Sequence, residues 1–438
     1  MKTKKQERGK EMIKQTQLSF KLGMTEDEIT PRSGLSVYAE FLRGFGIKDF
    51  IDKHMPLPES NRGYKAWQYL EPLMLMLYGG GRHIEDLREI AEDKALRKVI
   101  GLNTVPSSST VGDWLRRMGK GDGIQSFKHV IEKTIKRSLT LDSTKEYTLW
   151  SDPTIIEAEK QEAKMTYQGV KGYRPIMTAF KELPVIVYHQ FREGNCVGGV
   201  KEALEKAYSV LPYGKKIRHA SLDSEFYTAE VINLLRGRGT TFTISADQDV
   251  AVKELILGLR DWRPFRLEDG TETDREVAET VHLMQKTEEA FRLIVLRWKN
   301  KQRDLFNTEE YRYHAIATDL ECAAEEAVWE YHDRGQMENI IKELKIGIGM
   351  ESLPSGDFGA NSFWFSIGVQ VYNTVVLQKI LLLPEVYKTK TIQTLRWSLV
   401  EIAGKIIKHG RRLWLLLATT VDKYRVYVEM RKRCMAFT

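Results

Sequence analysis

Tyr331, Arg334, Glu338 and Lys345 follow one another at intervals of three, four and seven residues. On a helix turning about 100° per residue they share an arc of roughly 60°. An aromatic, a guanidinium, a carboxylate and an amine side by side suit the binding of a metal ion next to a phosphate backbone. Met337, Ile341, Leu344 and Ile348 add an apolar stripe at the spacing of a buried helix face. Two upstream aspartates are candidate partners for Glu338. Asp152 ends the β-rich run 147–151 and is followed by Pro153, which stops regular pairing. Asp223 ends the run 217–222 and precedes Ser224, Glu225, Phe226 and Tyr227. Carboxylates at the carboxyl ends of adjacent strands sit where open α/β sheets place their sites. With Glu338 they would form an oxygen-rich cage suited to Mg²⁺ or Mn²⁺. Two such ions about 3.5 to 4 Å apart activate a water or a 3′-hydroxyl and stabilise the leaving oxygen. Singly, each aspartate also reads as a strand-ending or helix-capping residue.

The elements that must position these groups are visible as changes of texture along 438 residues, enough chain for two or three domains. Residues 1–34 read as a basic flexible arm without the apolar core of a secretory signal. Residues 35–140 are helical in pattern and read as a DNA-binding domain. Residues 141–245 alternate short β-rich runs with helices, which implies a mixed sheet flanked by helices. Residues 246–325 carry strand candidates at 276–282, 291–298 and 311–318 and read as a β-rich insertion. Residues 326–384 return to the core with the Glu338 helix, and residues 385–438 read as a helical C-terminal region. The most apolar stretch, 363–383, is long enough to span a bilayer but contains Gln370, Asn373, Gln378 and Lys379, so a buried helix is expected.

Several other positions carry charge or aromatic surface suited to a polyanion. Ser107 to Thr110 place capping hydroxyls before a short helix bearing Arg116 and Arg117. That segment reads either as the DNA-contacting helix of a helix-turn-helix unit or as a bundle helix with solvated arginines. Lys164, Tyr167, Lys171, Tyr173 and Arg174 interleave cations with aromatics, as in phosphate binding with stacking, or as in a strand connection with snorkelling side chains. Trp262 and Trp298 are the aromatic candidates in the insertion for stacking; core packing competes for Trp298, which follows Val295 and Leu296.

Composition agrees with a nucleic-acid partner without requiring one. Lysine and arginine number 67 against 60 acids, a net charge of +7 and a pI near 9.0. Cys196, Cys322 and Cys434 lie far apart, which supports neither a disulfide framework nor a cysteine zinc site and fits a reducing cytoplasm.

Taken together, Asp152-Pro-Thr-Ile-Ile-Glu-Ala-Glu-Lys, Tyr167-Gln-Gly-Val-Lys-Gly-Tyr-Arg-Pro175, Asp223-Ser-Glu-Phe-Tyr and Tyr331-x2-Arg334-x3-Glu338-x6-Lys345 resemble the DDE transposases of bacterial insertion sequences. More narrowly, they are similar to the thirteen-eighty group of the insertion-sequence-four superfamily. The resemblance covers most of the chain. It implies an α/β fold: a ribonuclease-H-like mixed sheet flanked by helices, with a β-rich insertion between the second Asp and the Glu and helical N- and C-terminal regions. It implies Asp152, Asp223 and Glu338 as catalytic ligands of two Mg²⁺ (or Mn²⁺) ions, and Tyr331, Arg334 and Lys345 as holders of DNA phosphates. The implied partners are double-stranded DNA, as terminal inverted repeats and target, and a second copy in a homodimer, with no membrane. The implied excision passes through DNA hairpins, and Trp262 and Trp298 would be the candidates for stacking on a base turned out of the duplex as they form.

Two positions depart from the family pattern. Glu225 stands where relatives often carry a small residue, and is expected to add negative charge beside the metals. Trp150 stands where many have another acid. Asp142 is a decoy, because the Ile-Glu-Ala-Glu-Lys run anchors the first acid at Asp152. Competing readings are a metal-dependent nuclease of the same fold and a DNA-binding repressor derived from a transposase.

Overall fold

The computed structural model describes residues 23–301 and 310–437, so most of the basic arm expected at residues 1–34 lies outside the described residues. At the centre is the helix Phe358–Leu382, started by Asp357, whose side chain accepts from the Ala360 N–H at 2.7 Å. A helix that is apolar all round must be buried or cross a membrane. This one is long and apolar enough to span a bilayer, yet 83% of its most apolar window is buried inside the protein. Its polar residues are used as internal fasteners. The Asn373 amide accepts from the Ile186 N–H at 2.8 Å and donates to the Ile186 carbonyl at 2.9 Å, covering part of a sheet edge. Gln370 donates to Thr134 at 2.9 Å, and Tyr38 pairs with Thr374 at 2.7 Å.

The helices of the N-terminal third wrap this core helix. The longest of them are Gly34–Gly44, Ala66–Tyr78, Ser108–Lys120 and Gly123–Leu141. Ser107 caps the third of these by accepting from the Thr110 N–H, as its hydroxyl suggested. That helix crosses the core helix at glycine: a Cβ added to Gly119 would lie 2.3 Å from the Gly359 backbone. Trp114 stacks on Tyr69 at 4.4 Å and meets the edge of Phe363 at 5.2 Å. One apolar cluster therefore runs from Leu35 through the sheet to Cys434.

The large sheet has nine strands in the order Arg263–Arg266, Glu272–His282, Phe291–Lys299, Tyr311–Thr318, Thr241–Ala246, Lys216–Leu222, Glu146–Pro153, Ile176–Phe180 and Ile186–Gln190. The Asp152 strand runs parallel to Lys216–Leu222, which runs parallel to Thr241–Ala246; the other pairings are antiparallel. This is a mixed α/β architecture. The strands expected as an insertion do form, but they continue the same sheet, because Tyr311–Thr318 pairs directly with Thr241–Ala246. A smaller second apolar cluster, including Phe265, Ile294, Ile316, Val328 and Tyr331, lies under them.

The C-terminal region departs from the helical expectation. Gly404–His409 and Arg412–Leu417 form an antiparallel hairpin, joined on one edge by Ile29–Thr30, before the last helix Val421–Met435. The run Leu413-Trp-Leu-Leu-Leu417 lacks the two-residue alternation that marks a half-buried strand.

Candidate active site

The parallel register fixes the first two acids. Ser151 pairs with Leu222, so Asp152 and Asp223, the next residues, lie at the same level, roughly 5 Å apart across the sheet. Asp223 is the first residue past its strand, but Pro153 does not stop pairing as expected, since Asp152 and Pro153 still pair with Met177 and Ile176 on the other side. Glu338 arrives from the helix Gln336–Lys342, and shares with Asp152, Lys342, Lys345 and Glu351 the lining of a cavity of about 410 Å³. Burial pushes the Asp152 carboxyl up to about 7; Arg334 opposes that shift, while the charges of Asp223 and Glu338 reinforce it. Asp223 and Glu338 thus both act electrostatically on Asp152. The cage is nevertheless open: among the described residues, no three His, Cys, Asp or Glu side chains form a ready metal-binding cluster.

Arg334 holds this arrangement. Its guanidinium meets Asp152 Oδ2 at 2.9 Å, with the two side chains only 16% and 17% exposed. It also donates to the Tyr331 hydroxyl at 3.0 Å and lies 5.2 Å from that ring. Tyr331 is itself buried in the second apolar cluster and touches His314, with ring centroids 5.3 Å apart. Its observed contacts therefore orient Arg334. Neither Glu330 nor Glu338 is the ion-pair partner of Arg334: Glu330 meets Arg218 at 3.6 Å, and Arg334 takes Asp152.

The four residues of the motif are not on one uninterrupted helix. Ala324–Asp333 ends in a tight turn in which the Arg334 and Gly335 N–H groups bond three residues back, to Tyr331 and His332. Gln336–Lys342 follows, and Glu343–Gly347 then widens into a π-turn, a device often found at functional sites. The tightening and widening keep Lys345 facing the cleft, where its ammonium donates to the Ile155 carbonyl at 2.7 Å. Met337, Leu344 and Ile348 are buried as the stripe required, while Ile341 is half-buried.

Beside Asp152 a second cavity of about 730 Å³ is lined by Thr154, Tyr167, Gln168, Arg174, Lys345 and Glu351, among others. Arg174 stacks against Tyr167 at 5.2 Å and pairs with Glu225 at 2.9 Å. Glu225 is therefore not the uncompensated negative charge expected from the sequence. Arg192, 2% exposed, meets it at 2.5 Å, and the Gly198 N–H donates to it at 2.8 Å. Gly198 has φ +103°, a conformation natural to glycine, and there it aims its N–H at the carboxylate. These contacts outweigh burial and hold the Glu225 carboxyl below its ordinary range. Arg192 escaped the sequence reading because 33 residues separate it from Glu225.

Asp247 was also missed, although it repeats the strand-end pattern just beyond Thr241–Ala246. Burial raises its carboxyl, Ser224 opposes the shift, and Asp223 and Asp249 add repulsion. Trp150 is buried, its side chain serving the core. The other candidates lie apart from this constellation. Lys171 sits on the short strand Lys171–Tyr173 and lines a separate cavity with Glu157 and Glu159. Arg116 and Arg117 are exposed, and Arg116 pairs with Asp113 at 2.6 Å. Trp262 is half-buried under the Arg297 guanidinium at 4.1 Å, and Trp298 lies under Arg275 at 5.1 Å against the second apolar cluster.

The family described as Transposase DDE domain group 1 matches residues 14–435. A search among curated proteins finds no match. Among solved structures, the chain is similar to one titled cryo-EM structure of piggyBac transposase synaptic complex with hairpin DNA, at 10% identity and a TM-score of 0.44, over 94% of this chain and 83% of that one.

Proposed function

The chain belongs to the family of DDE transposase domains described as group 1, and on that premise we propose that it binds the terminal inverted repeats of a mobile DNA element, cuts there and joins the freed 3′ ends to target DNA. The observation that supports this reading is Asp152 and Asp223 side by side at the ends of parallel strands, with Glu338 sharing a cavity with Asp152 and Arg334 paired to Asp152. The donor set fits divalent cations, since three carboxylates supply hard oxygens and their mutual repulsion is the kind a cation relieves. Asp152, Asp223 and Glu338 would hold two Mg²⁺ or Mn²⁺ ions, which when bound supply activation of an attacking hydroxyl and neutralisation of the leaving oxygen.

The protein's own groups do the rest. Arg334, steadied by Tyr331, presents its guanidinium where a phosphate would lie beside Asp152. Lys345 and Arg174 line the adjoining cavity and supply positive charge along the strand being cut. Membership of the thirteen-eighty group, excision through hairpins and action as a homodimer belong to the same proposal and rest on the motif resemblance.

The test is cleavage and strand transfer on labelled inverted-repeat DNA with Mg²⁺. Wild type should nick and join, and Asp223→Ala should do neither. Equal product from both would refute the assignment. Nicking without joining would identify a nuclease, and binding without nicking a repressor.

A further inference from the structure

The hairpin Gly404–His409 and Arg412–Leu417 plays no part in the cleft described above. Its base is built into the protein: Ile29–Thr30 pairs with its first strand, and Gly404 and Ile406 turn one face inward. The other face points to solvent, and the second strand is an open edge. Cross-strand pairs put Lys405 with Leu416, Ile407 with Trp414 and His409 with Arg412 on that outer face. Trp414 is 51% exposed and Leu416 46%. Beyond the Ile406 and Leu415 pair the ribbon stands clear of the body, so Lys408 and Leu413 on its inner face are exposed as well.

Charge decides what such a ribbon fits. Between Ile402 and Val421 there is no acidic residue, whereas Lys405, Lys408, Arg411 and Arg412 all fall there. Lys405, at the base, pairs with Asp27 at 3.0 Å. At the tip, the turn His409-Gly410-Arg411-Arg412 has positive φ at Gly410 and Arg411, the conformation of a tight two-residue turn. Neither these two arginines nor Lys408 has an acidic partner among the described residues. A protruding edge that copies of the protein should avoid pairing is often protected by such cations, but that does not account for the exposed Trp414 beside them. A two-stranded ribbon also matches the width of the major groove of duplex DNA. The segment leading into it is tied to the cleft: the Ile392 N–H donates to Glu343 at 2.6 Å, and Arg396 donates to the Gly347 carbonyl at 2.7 Å, bracketing the turn that carries Lys345.

We propose that this hairpin is a second DNA-contacting element, with Lys408, Arg411 and Arg412 on the phosphates of duplex DNA and Trp414 packed against its sugar edges. It rests on the reading of the chain as a DNA-acting protein, but not on the chemistry of the three acids.

The experiment measures binding of the full-length protein to a fluorescent duplex of mixed sequence over a salt series, with chelator present so that no cutting occurs. The triple variant Lys408→Gln/Arg411→Gln/Arg412→Gln should bind at least about tenfold more weakly. Its log-log salt slope should be shallower by about 2 to 3, near 0.9 for each phosphate that is no longer neutralised. Arg411→Lys/Arg412→Lys should retain most of the slope, and Trp414→Ala should weaken binding with the slope unchanged. Thermal melting of each variant guards against unfolding. Unchanged affinity and slope in the triple variant would overturn the proposal. So would unchanged DNA binding accompanied by loss of self-association, which would make the ribbon a contact between copies. If the hairpin effect holds while wild type never cuts DNA with Mg²⁺, the DNA-binding role of the ribbon stands and the catalytic reading fails.

Discussion

Asp152 and Glu225 are two carboxylates each in contact with arginine, and they are driven in opposite directions. Glu225 has Arg174, Arg192 and the Gly198 N–H, and its ionised form is favoured. Asp152 has Arg334 alone, against burial and the charges of Asp223 and Glu338, and its ionised form is disfavoured. The first is a finished electrostatic unit. At the second, one guanidinium does not offset burial and two neighbouring carboxylates, an imbalance that the proposed cation binding would relieve. Burial beside arginine is common to both acids and does not separate them; the count of compensating partners does.

The largest effect should come from the unbalanced side. Asp152→Asn should lower DNA cleavage on the order of 1000-fold, about 4 kcal/mol in the barrier, measured as single-turnover nicking with Mg²⁺, whereas Glu225→Gln should lower it by no more than roughly tenfold, as for an outer partner. Comparable losses in both would erase the distinction.

Stability should show the reverse weighting. Arg192→Ala leaves Glu225 buried with one partner fewer, and breaking such a pair costs about 3 to 5 kcal/mol, to be read from urea unfolding. Arg334→Ala should cost less, about 1 to 3 kcal/mol, because the repelling carboxylates can protonate or take up a cation; excess Mn²⁺ should restore part of the loss. Arg192→Ala should gain nothing comparable from Mn²⁺.

The smallest effect is one of sign with pH. The Asp152 carboxyl is raised to about 7, so its favourable contribution is complete below the ordinary range near 3.8 and is lost as pH rises through 7. With chelator present, Asp152→Asn should therefore gain stability relative to wild type between pH 5 and 8. The Glu225 carboxyl is lowered from 4.5, so its contribution is present above that value and is lost as pH falls through its folded-state pKa. Glu225→Gln should accordingly be the less stable protein at neutral pH, with the gap closing in acid. Melting curves of both variants across pH check the opposed slopes.

How much of this was legible in the sequence follows from the range of each interaction. The strands that bring Asp152 and Asp223 to their carboxyl ends were readable because apolar runs are local signals. The buried helix around Phe363 was readable for the same reason. Ile176–Phe180 was not, because a strand buried on both faces shows no alternation. The tight turn at Arg334 and the π-turn at Lys345 leave side-chain spacing nearly helical, so four residues spread over two helices and the turns after them looked like four on one helix. Glu225 was misjudged since its neutralising partners, Arg174 and Arg192, come from distant segments that only the folded sheet brings together. The hairpin was missed because five successive apolar residues in its second strand carry no period.

The most direct measurement is Mn²⁺ binding to the metal-free protein, followed by electron paramagnetic resonance at neutral pH in wild type, Glu225→Gln, Asp152→Asn and Asp223→Asn. Wild type and Glu225→Gln should take up Mn²⁺ alike, while either aspartate variant should weaken uptake at least about tenfold, about 1.4 kcal/mol. Full uptake by both aspartate variants, or loss confined to Glu225→Gln, would contradict a metal site built on Asp152 and Asp223.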